Sequence, residues 1–208
     1  MDATVKPAAR GISMPKNHPF ADRWNHNSQQ YPRVAELIAD CPLVLDVGCG
    51  EGTLARYLAE QGHQVVGIDP DSRVLPDDGE NTHFMIGDAT GLPFADDSFD
   101  AVVAVMVLHQ TRLELALVEM RRVLRPGGLL VDVGYARNKG IGERLRSAAD
   151  IPGDLVARIG ATRWEPDTIK MDALQGWSET RDAIQGILPG ASWERISGWR
   201  YLSVWRHP

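Results

Sequence analysis

Cysteine is scarce in this chain of 208 residues, which holds only Cys41 and Cys49. Two thiols cannot build a disulfide framework of any size. No cluster of His, Cys and carboxylates has metal-ligand spacing, so no structural or catalytic metal is expected. Long apolar runs are missing too. None approaches the ~20 residues needed to cross a bilayer, so no membrane role is expected. Basic runs never exceed two residues, and the formal net charge is −6. Phosphate contacts dominate nucleic-acid affinity, so this balance opposes a DNA or RNA partner, although a local basic patch is compatible with it. Residues 1–19 are polar and contain proline, without the apolar core of a secretory signal. The expectation is a flexible lead-in over 1–20 and a cytoplasmic location.

The length fits one domain, here 21–208, and a hydrophobic content of 43% suits a globular enzyme rather than a disordered chain. Its most informative stretch runs from Val44 to Leu54, which reads as a buried strand, a glycine-rich turn and a helix start. Gly48, Gly50 and Gly52 are spaced G-x-G-x-G. Glycine tolerates positive φ and close backbone approach, and such a turn can present its amides to a polar or anionic ligand group. A tight strand-to-helix turn with no ligand needs the same residues. Leu54 and Leu58 then mark one face of a helix that Gly62 should stop. A second strand, Gln64 to Ile68, ends in Asp69. An acid at that place can accept hydrogen bonds from ribose hydroxyls, which points to an adenosine-containing cofactor without choosing one. The glycines lean away from NAD, because G-x-G-x-x-G would need its third glycine at position 53, which is Thr53.

Four motifs in order carry a resemblance to a known family. They are Val44 to Gly52; Val66-Gly67-Ile68-Asp69; Gly87-Asp88-Ala89-Thr90-Gly91-Leu92-Pro93-Phe94 with Asp97-Ser98-Phe99-Asp100; and Arg122-Val123-Leu124-Arg125-Pro126-Gly127-Gly128-Leu129-Leu130. In this order and spacing the chain resembles the class I S-adenosylmethionine (SAM)-dependent methyltransferases over roughly residues 30 to 135. The resemblance implies an α/β fold: a Rossmann-like three-layer sandwich on a mostly parallel seven-stranded sheet with an antiparallel C-terminal strand. It implies SAM as cofactor, held by Tyr31, Asp46, Gly48, Cys49, Gly50, Asp69, Pro70, Asp88, Ala89 and Met106. Asp69 would take the ribose and Asp88 the adenine amino group, with the Ala89 amide against the ring. Segment 135–170, which leaves the fifth strand, would be the variable, substrate-side part.

Phe99 to Leu108 is a nearly continuous apolar run, as expected of a strand covered on both faces. It ends in Met106-Val107-Leu108-His109-Gln110. Ligands of open α/β sheets bind beyond the carboxyl ends of the strands, so His109 is the candidate base or substrate clamp. The alternative is a His that only orients its loop. Tyr31, and with it His26 and Asn27, either folds over the cofactor or is a polar lead-in with one aromatic anchor. Thr111 is a candidate N-cap for a helix whose stripe runs from Leu113 to Leu124. Arg112, Glu119, Arg121 and Arg122 read as its solvated face. Pro126-Gly127-Gly128 reads as a turn into a strand over 129–133, and Asp172 to Leu188 as a helix. Two short strands follow, at about 192–197 and 199–205, with Gly198 between them. The tryptophans from Trp164 onward suit core packing better than a substrate pocket.

The functional expectation is methyl transfer from SAM to a small-molecule acceptor. The Asn/Asp-Pro-Pro-Tyr/Phe motif for methylating nucleic-acid nitrogens is absent after the fourth strand. A SAM-binding protein without turnover would carry the same motifs. An NAD-linked oxidoreductase is opposed by the glycine spacing.

Overall fold

A computed structural model of the chain describes residues 27–145, 147, 172–196 and 200–208. The lead-in, His26, Gly198, Trp24, Trp164, Trp199 and most of the segment after 145 lie outside the described residues. The described residues form a seven-stranded sheet in the order β3-β2-β1-β4-β5-β7-β6. The strands are β1 (Leu43–Val47), β2 (Gln64–Asp69), β3 (Thr82–Ile86), β4 (Phe99–Val105), β5 (Leu124–Tyr135), β6 (Ser192–Ile196) and β7 (Arg200–Arg206). The first five pair in parallel, while β7 runs antiparallel to both β5 and β6.

Helices cover both faces. On one face lie α1 (Tyr31–Leu37) and α2 (Thr53–Glu60); Val34, Leu54, Ala55 and Leu58 pack there against Val44, Val103, Val131 and Leu202. On the other lie α3 (Leu113–Arg122) and a helix here called α4 (Trp177–Ile187); Leu113, Leu117, Met120 and Ile184 pack there against Leu45, Val102, Leu130 and Tyr201. Alternation along β7 thus sends Tyr201 and Trp205 to one layer and Leu202 and Val204 to the other. Period-two patterning in a strand buried on both faces produces this split. Trp177 and Trp205 are buried in the α3–α4 layer and Trp193 packs against it, as the core reading expected.

Local signals explain the ends of the elements. Pro32 sits in the first turn of α1, where its missing N–H costs nothing. Gly62 stops α2 in the left-handed region, at φ 96°, with its amide on the Ala59 carbonyl. Thr111 is extended and does not cap α3, whose N-cap position is held by Arg112 without a side-chain bond. Only 177–187 of the helix expected over 172–188 forms.

Two further expectations are corrected. Pro126-Gly127-Gly128 lies inside β5, where a bulge sets Leu124 opposite Phe99 and Leu129 opposite Ala101. A bulge adds residues to one strand without ending it, so a turn-like sequence can sit within a ladder. Arg122 is half-buried and has fixed partners beyond its helix, which the reading of a solvated face did not include. Its guanidinium donates to the Leu92 and Phe94 carbonyls and to Glu119 and Asp96, and Glu119 accepts the Leu92 amide. The pair clamps the loop between β3 and β4, a contact that helical spacing alone cannot reveal.

The sheet order reverses between β1 and β4, which are neighbours although two strands separate them in sequence. Crossovers leave in opposite directions at that point, so a crevice opens beyond the carboxyl ends of β1 and β4.

Candidate functional site

The glycine turn closes β1 on one side of this crevice. Gly48, Gly50 and Gly52 all have positive φ, at 69°, 52° and 70°. Their need for glycine also comes from the protein's own packing. A Cβ on Gly48 would lie 2.4 Å from a Val107 methyl carbon, and one on Gly52 2.6 Å from the Phe84 ring. Val107 therefore ties the turn to the segment that follows β4.

Four amides of this turn bond within the protein. Gly48 and Cys49 both donate to the Ile68 carbonyl, at 2.7 and 3.1 Å, and Gly52 donates to the Cys49 carbonyl. Gly50 donates to Asp69 Oδ2 at 2.9 Å, while Asp69 Oδ1 accepts the Asp71 amide. Four amides of the turn, at Gly48, Cys49, Gly50 and Gly52, are thus used within the protein. What it leaves short of partners is negative. Asp46, at the end of β1, is 2% exposed, and its Oδ2 has no hydrogen-bond partner. Burial and then the nearby charge of Asp69 push its pKa up to about 8, against a hydrogen bond from the Ala55 amide. Two carboxylates near each other in a partly dry site disfavour a second negative charge. The arrangement favours a cation.

Tyr31 closes the same end from α1. Its phenol pKa is raised by burial and by Asp46, and its ring lies 5.9 Å from that of Tyr57. Cys49 is buried, and burial raises its thiol pKa, which disfavours the thiolate. Pro70 is exposed after Asp69. At the tip of β3, Asp88 is exposed and its Oδ1 accepts both the amide and the hydroxyl of Thr90 at 2.7 Å. Ala89 beside it is buried.

On the far side of the crevice the chain breaks out of β4 at Met106, a non-glycine residue at φ 63°. Such a conformation is uncommon for a long side chain and is held here by the bond from its amide to the Val133 carbonyl at 2.6 Å. The kink leads into a short 3₁₀ turn, Leu108–Gln110, that carries His109. The imidazole is 8% exposed and its Nδ1 has no partner. Its ring lies 4.1 Å from that of Tyr135, at the end of β5. Tyr135 stands opposite Arg200 in the β5–β7 ladder. Arg200 is 6% exposed and donates through Nε and Nη2 to Asn27 Oδ1, at 3.2 and 2.7 Å. Burial, then the Arg200 charge, lowers the His109 pKa to about 4.

Comparison with known proteins agrees with this geometry. The family model described as a methyltransferase domain matches residues 45–132. An uncharacterised methyltransferase of Mycobacterium bovis is 30% identical over 197 residues, covering 89% of this chain and 98% of that protein. The chain belongs to the class I SAM-dependent methyltransferases. It is also 31% identical to a fatty-acid O-methyltransferase of Mycolicibacterium smegmatis over 86% of its own length, and spans 66% of that enzyme's length. In fold it is similar to the crystal structure of a Burkholderia thailandensis 1,6-didemethyltoxoflavin-N1-methyltransferase, with a TM-score of 0.60 and 19% identity. That match covers 92% of this chain and 84% of the other.

The cofactor of this family is SAM. The site fits that cofactor. SAM carries an ammonium and a sulfonium, and an orphaned carboxylate oxygen on Asp46 suits such a cation. Of the residues expected from sequence, the fold brings Tyr31, Asp46, Gly48, Cys49, Gly50 and Asp69 together around one turn. Met106 and His109 lie across the crevice, and Pro70, Asp88 and Ala89 lie at the outer strand tips. Sequence reasoning missed Tyr135, Arg200 and the buried, unpartnered Thr53 hydroxyl. One signal for Arg200 was available: it shares the period-two face of Leu202 and Val204, so a cation stands at a buried position.

Proposed function

We propose that this protein transfers the SAM methyl group to a small-molecule acceptor. One observation carries the cofactor half of this reading. The glycine turn bonds the Gly48, Cys49, Gly50 and Gly52 amides inside the protein and leaves one buried oxygen of Asp46 without a partner, which suits a cationic amino-acid end. Asp69 and Asp88 then serve the ribose and the adenine, with Pro70 and the Ala89 amide beside the ring. Tyr31 and Met106 border the methionine end, with the turn of Gly48, Cys49 and Gly50 beneath it. When bound, SAM supplies a methyl group already activated by its sulfonium.

The chain must then align a nucleophile at near-attack distance, a role worth effective molarities of about 10⁵–10⁸ M in well-oriented systems. His109 borders that position from the β4 side. A small acceptor is supported by the net charge of −6 and by the relatives, one a fatty-acid and one a didemethyltoxoflavin methyltransferase. Calorimetry with S-adenosylhomocysteine and with NAD tests the cofactor reading. Tight binding of the first alone is expected, and binding of NAD alone would sink it.

A further inference from the structure

One side-chain oxygen gathers the chain where it leaves β5. Asn138 Oδ1 accepts the Trp177 indole N–H and the Ser147 hydroxyl, both at 2.9 Å. Ser147 Oγ in turn accepts from Arg195 Nη2 at 2.6 Å, and the Arg195 guanidinium lies 4.1 Å from the centre of the Trp177 ring. An indole N–H can only donate, so the oxygen of Asn138, and not its amide nitrogen, faces Trp177. Trp177 opens α4 and Arg195 belongs to β6, so Asn138 ties together parts of the fold that are far apart in sequence.

The contacts around Asn138 run back to the crevice. The Arg137 amide donates to the Gln175 carbonyl at 2.9 Å, and Arg137 bridges Gly176 in parallel. Lys139 pairs with Glu179, whose carboxylate also holds the Gly176 amide. Tyr135 stands three residues before Asn138. Its phenol oxygen accepts the Ala173 amide, with the Asp172 charge nearby. The Tyr135 ring packs 4.1 Å from that of His109. Residues 135–139 are thus fixed along 173–179, and His109 is buried against the first of them.

We infer that Asn138 is a positioning residue for the acceptor side: it holds the exit of β5 so that Tyr135 keeps His109 buried at the crevice. This rests on the methyl-transfer reading above. A site is precise only when the groups that line it are locked by supporting hydrogen bonds. Burial is the main cause that lowers the His109 pKa to about 4, with the Arg200 charge second. Of the charges near this pair, Arg200 on β7 opposes an imidazolium and Asp172 lies beside Tyr135. A change at Asn138 removes neither charge, so a shift in His109 reports its burial.

NMR of the full chain tests this. The Trp177 indole N–H resonance reports the bond to Asn138. The pH titration of His109, assigned by its loss in His109→Gln, reports the burial. In the wild type no His109 inflection is expected between about pH 5.5 and 8. In Asn138→Ala the midpoint should rise by at least about one unit toward its ordinary value, with S-adenosylhomocysteine affinity within about twofold of wild type. Trp177→Phe keeps a ring beside Arg195 but removes the N–H, and should give a smaller rise. An unshifted His109 in folded Asn138→Ala, with the Trp177 resonance displaced, overturns the proposal. A wild-type inflection near pH 6.5 overturns it too. If Asn138→Ala fails to fold, seen as a collapsed spectrum, Trp177→Phe decides. Absence of S-adenosylhomocysteine binding by the wild type overturns the cofactor reading instead, and the His109 titration still decides the role of Asn138.

Discussion

Asp69 holds the Gly50 amide at 2.9 Å, so the tip of β2 fixes the glycine turn that closes β1. The carboxylate that would receive the ribose thus also shapes the turn beneath the methionine end. Its second oxygen holds the Asp71 amide, which sets the path of the chain out of β2. On the proposed reading, one acid would couple the two halves of the cofactor site.

Replacing Asp69 should therefore do more than remove one ligand contact. A charge-assisted hydrogen bond is worth about 1.5–3 kcal/mol. Asp69→Ala is expected to weaken S-adenosylhomocysteine at least about tenfold by calorimetry. Asp69→Asn keeps an acceptor oxygen and should lose less. Equal affinity of folded Asp69→Ala and wild type would remove Asp69 from the site.

Asp46 predicts a pH dependence whose sign is fixed. Its folded pKa is about 8, above its ordinary value of 3.8, so the folded state holds a proton that the unfolded state releases. Its contribution to stability is full below about pH 4 and is lost as pH rises toward 8. Asp46→Asn should flatten that decline of melting temperature in the ligand-free protein. A cationic cofactor end prefers the ionised acid, so wild-type SAM affinity should rise between pH 6 and 8 and that of Asp46→Asn should not. Parallel profiles for the two proteins would refute the assignment.

For His109, the lowered pKa moves the expected kinetic signature. A histidine at its usual value would bend the rate profile near pH 6.5. With a pKa of about 4, the imidazole stays neutral from pH 6 to 8, and kcat at saturating SAM should be flat there. His109→Ala should slow transfer by less than the 10²–10⁴-fold typical of a lost general base, with cofactor affinity unchanged. A loss within that range, together with an inflection near pH 6.5 in the wild type, would restore the base.

Gly48→Ala tests the turn itself. A left-handed L-residue costs roughly 1–2 kcal/mol, and the new methyl would overlap Val107. Both a lower melting temperature and weaker S-adenosylhomocysteine binding are expected, partly rescued by Val107→Ala. Full stability of Gly48→Ala would show that Val107 yields without cost.

The sequence by itself determined the alternation of strands and helices and carried the motifs of the family, whose resemblance implied the sheet, while the strand order came from the structure. The alternation and the motifs rest on the period-two and helical apolar patterns, the glycine turn after β1 and the acid after β2, all of which are local in the chain. It also placed Asp46, Asp69 and His109, because each sits at a strand end that topology makes a ligand crevice. The directions of the turn's amides, the bulge inside β5 and the clamp of Arg122 on the 92–96 loop were decided only by tertiary structure. Each depends on a partner far along the chain: Ile68 for Gly48, Phe99 for Leu124, Leu92 for Arg122. The same holds for the electrostatics. That Asp46 is raised and His109 lowered follows from burial and from Asp69 and Arg200, which approach them only when β2 and β7 join the sheet. Spacing can name a titratable residue, but its proton affinity belongs to the neighbours that folding supplies.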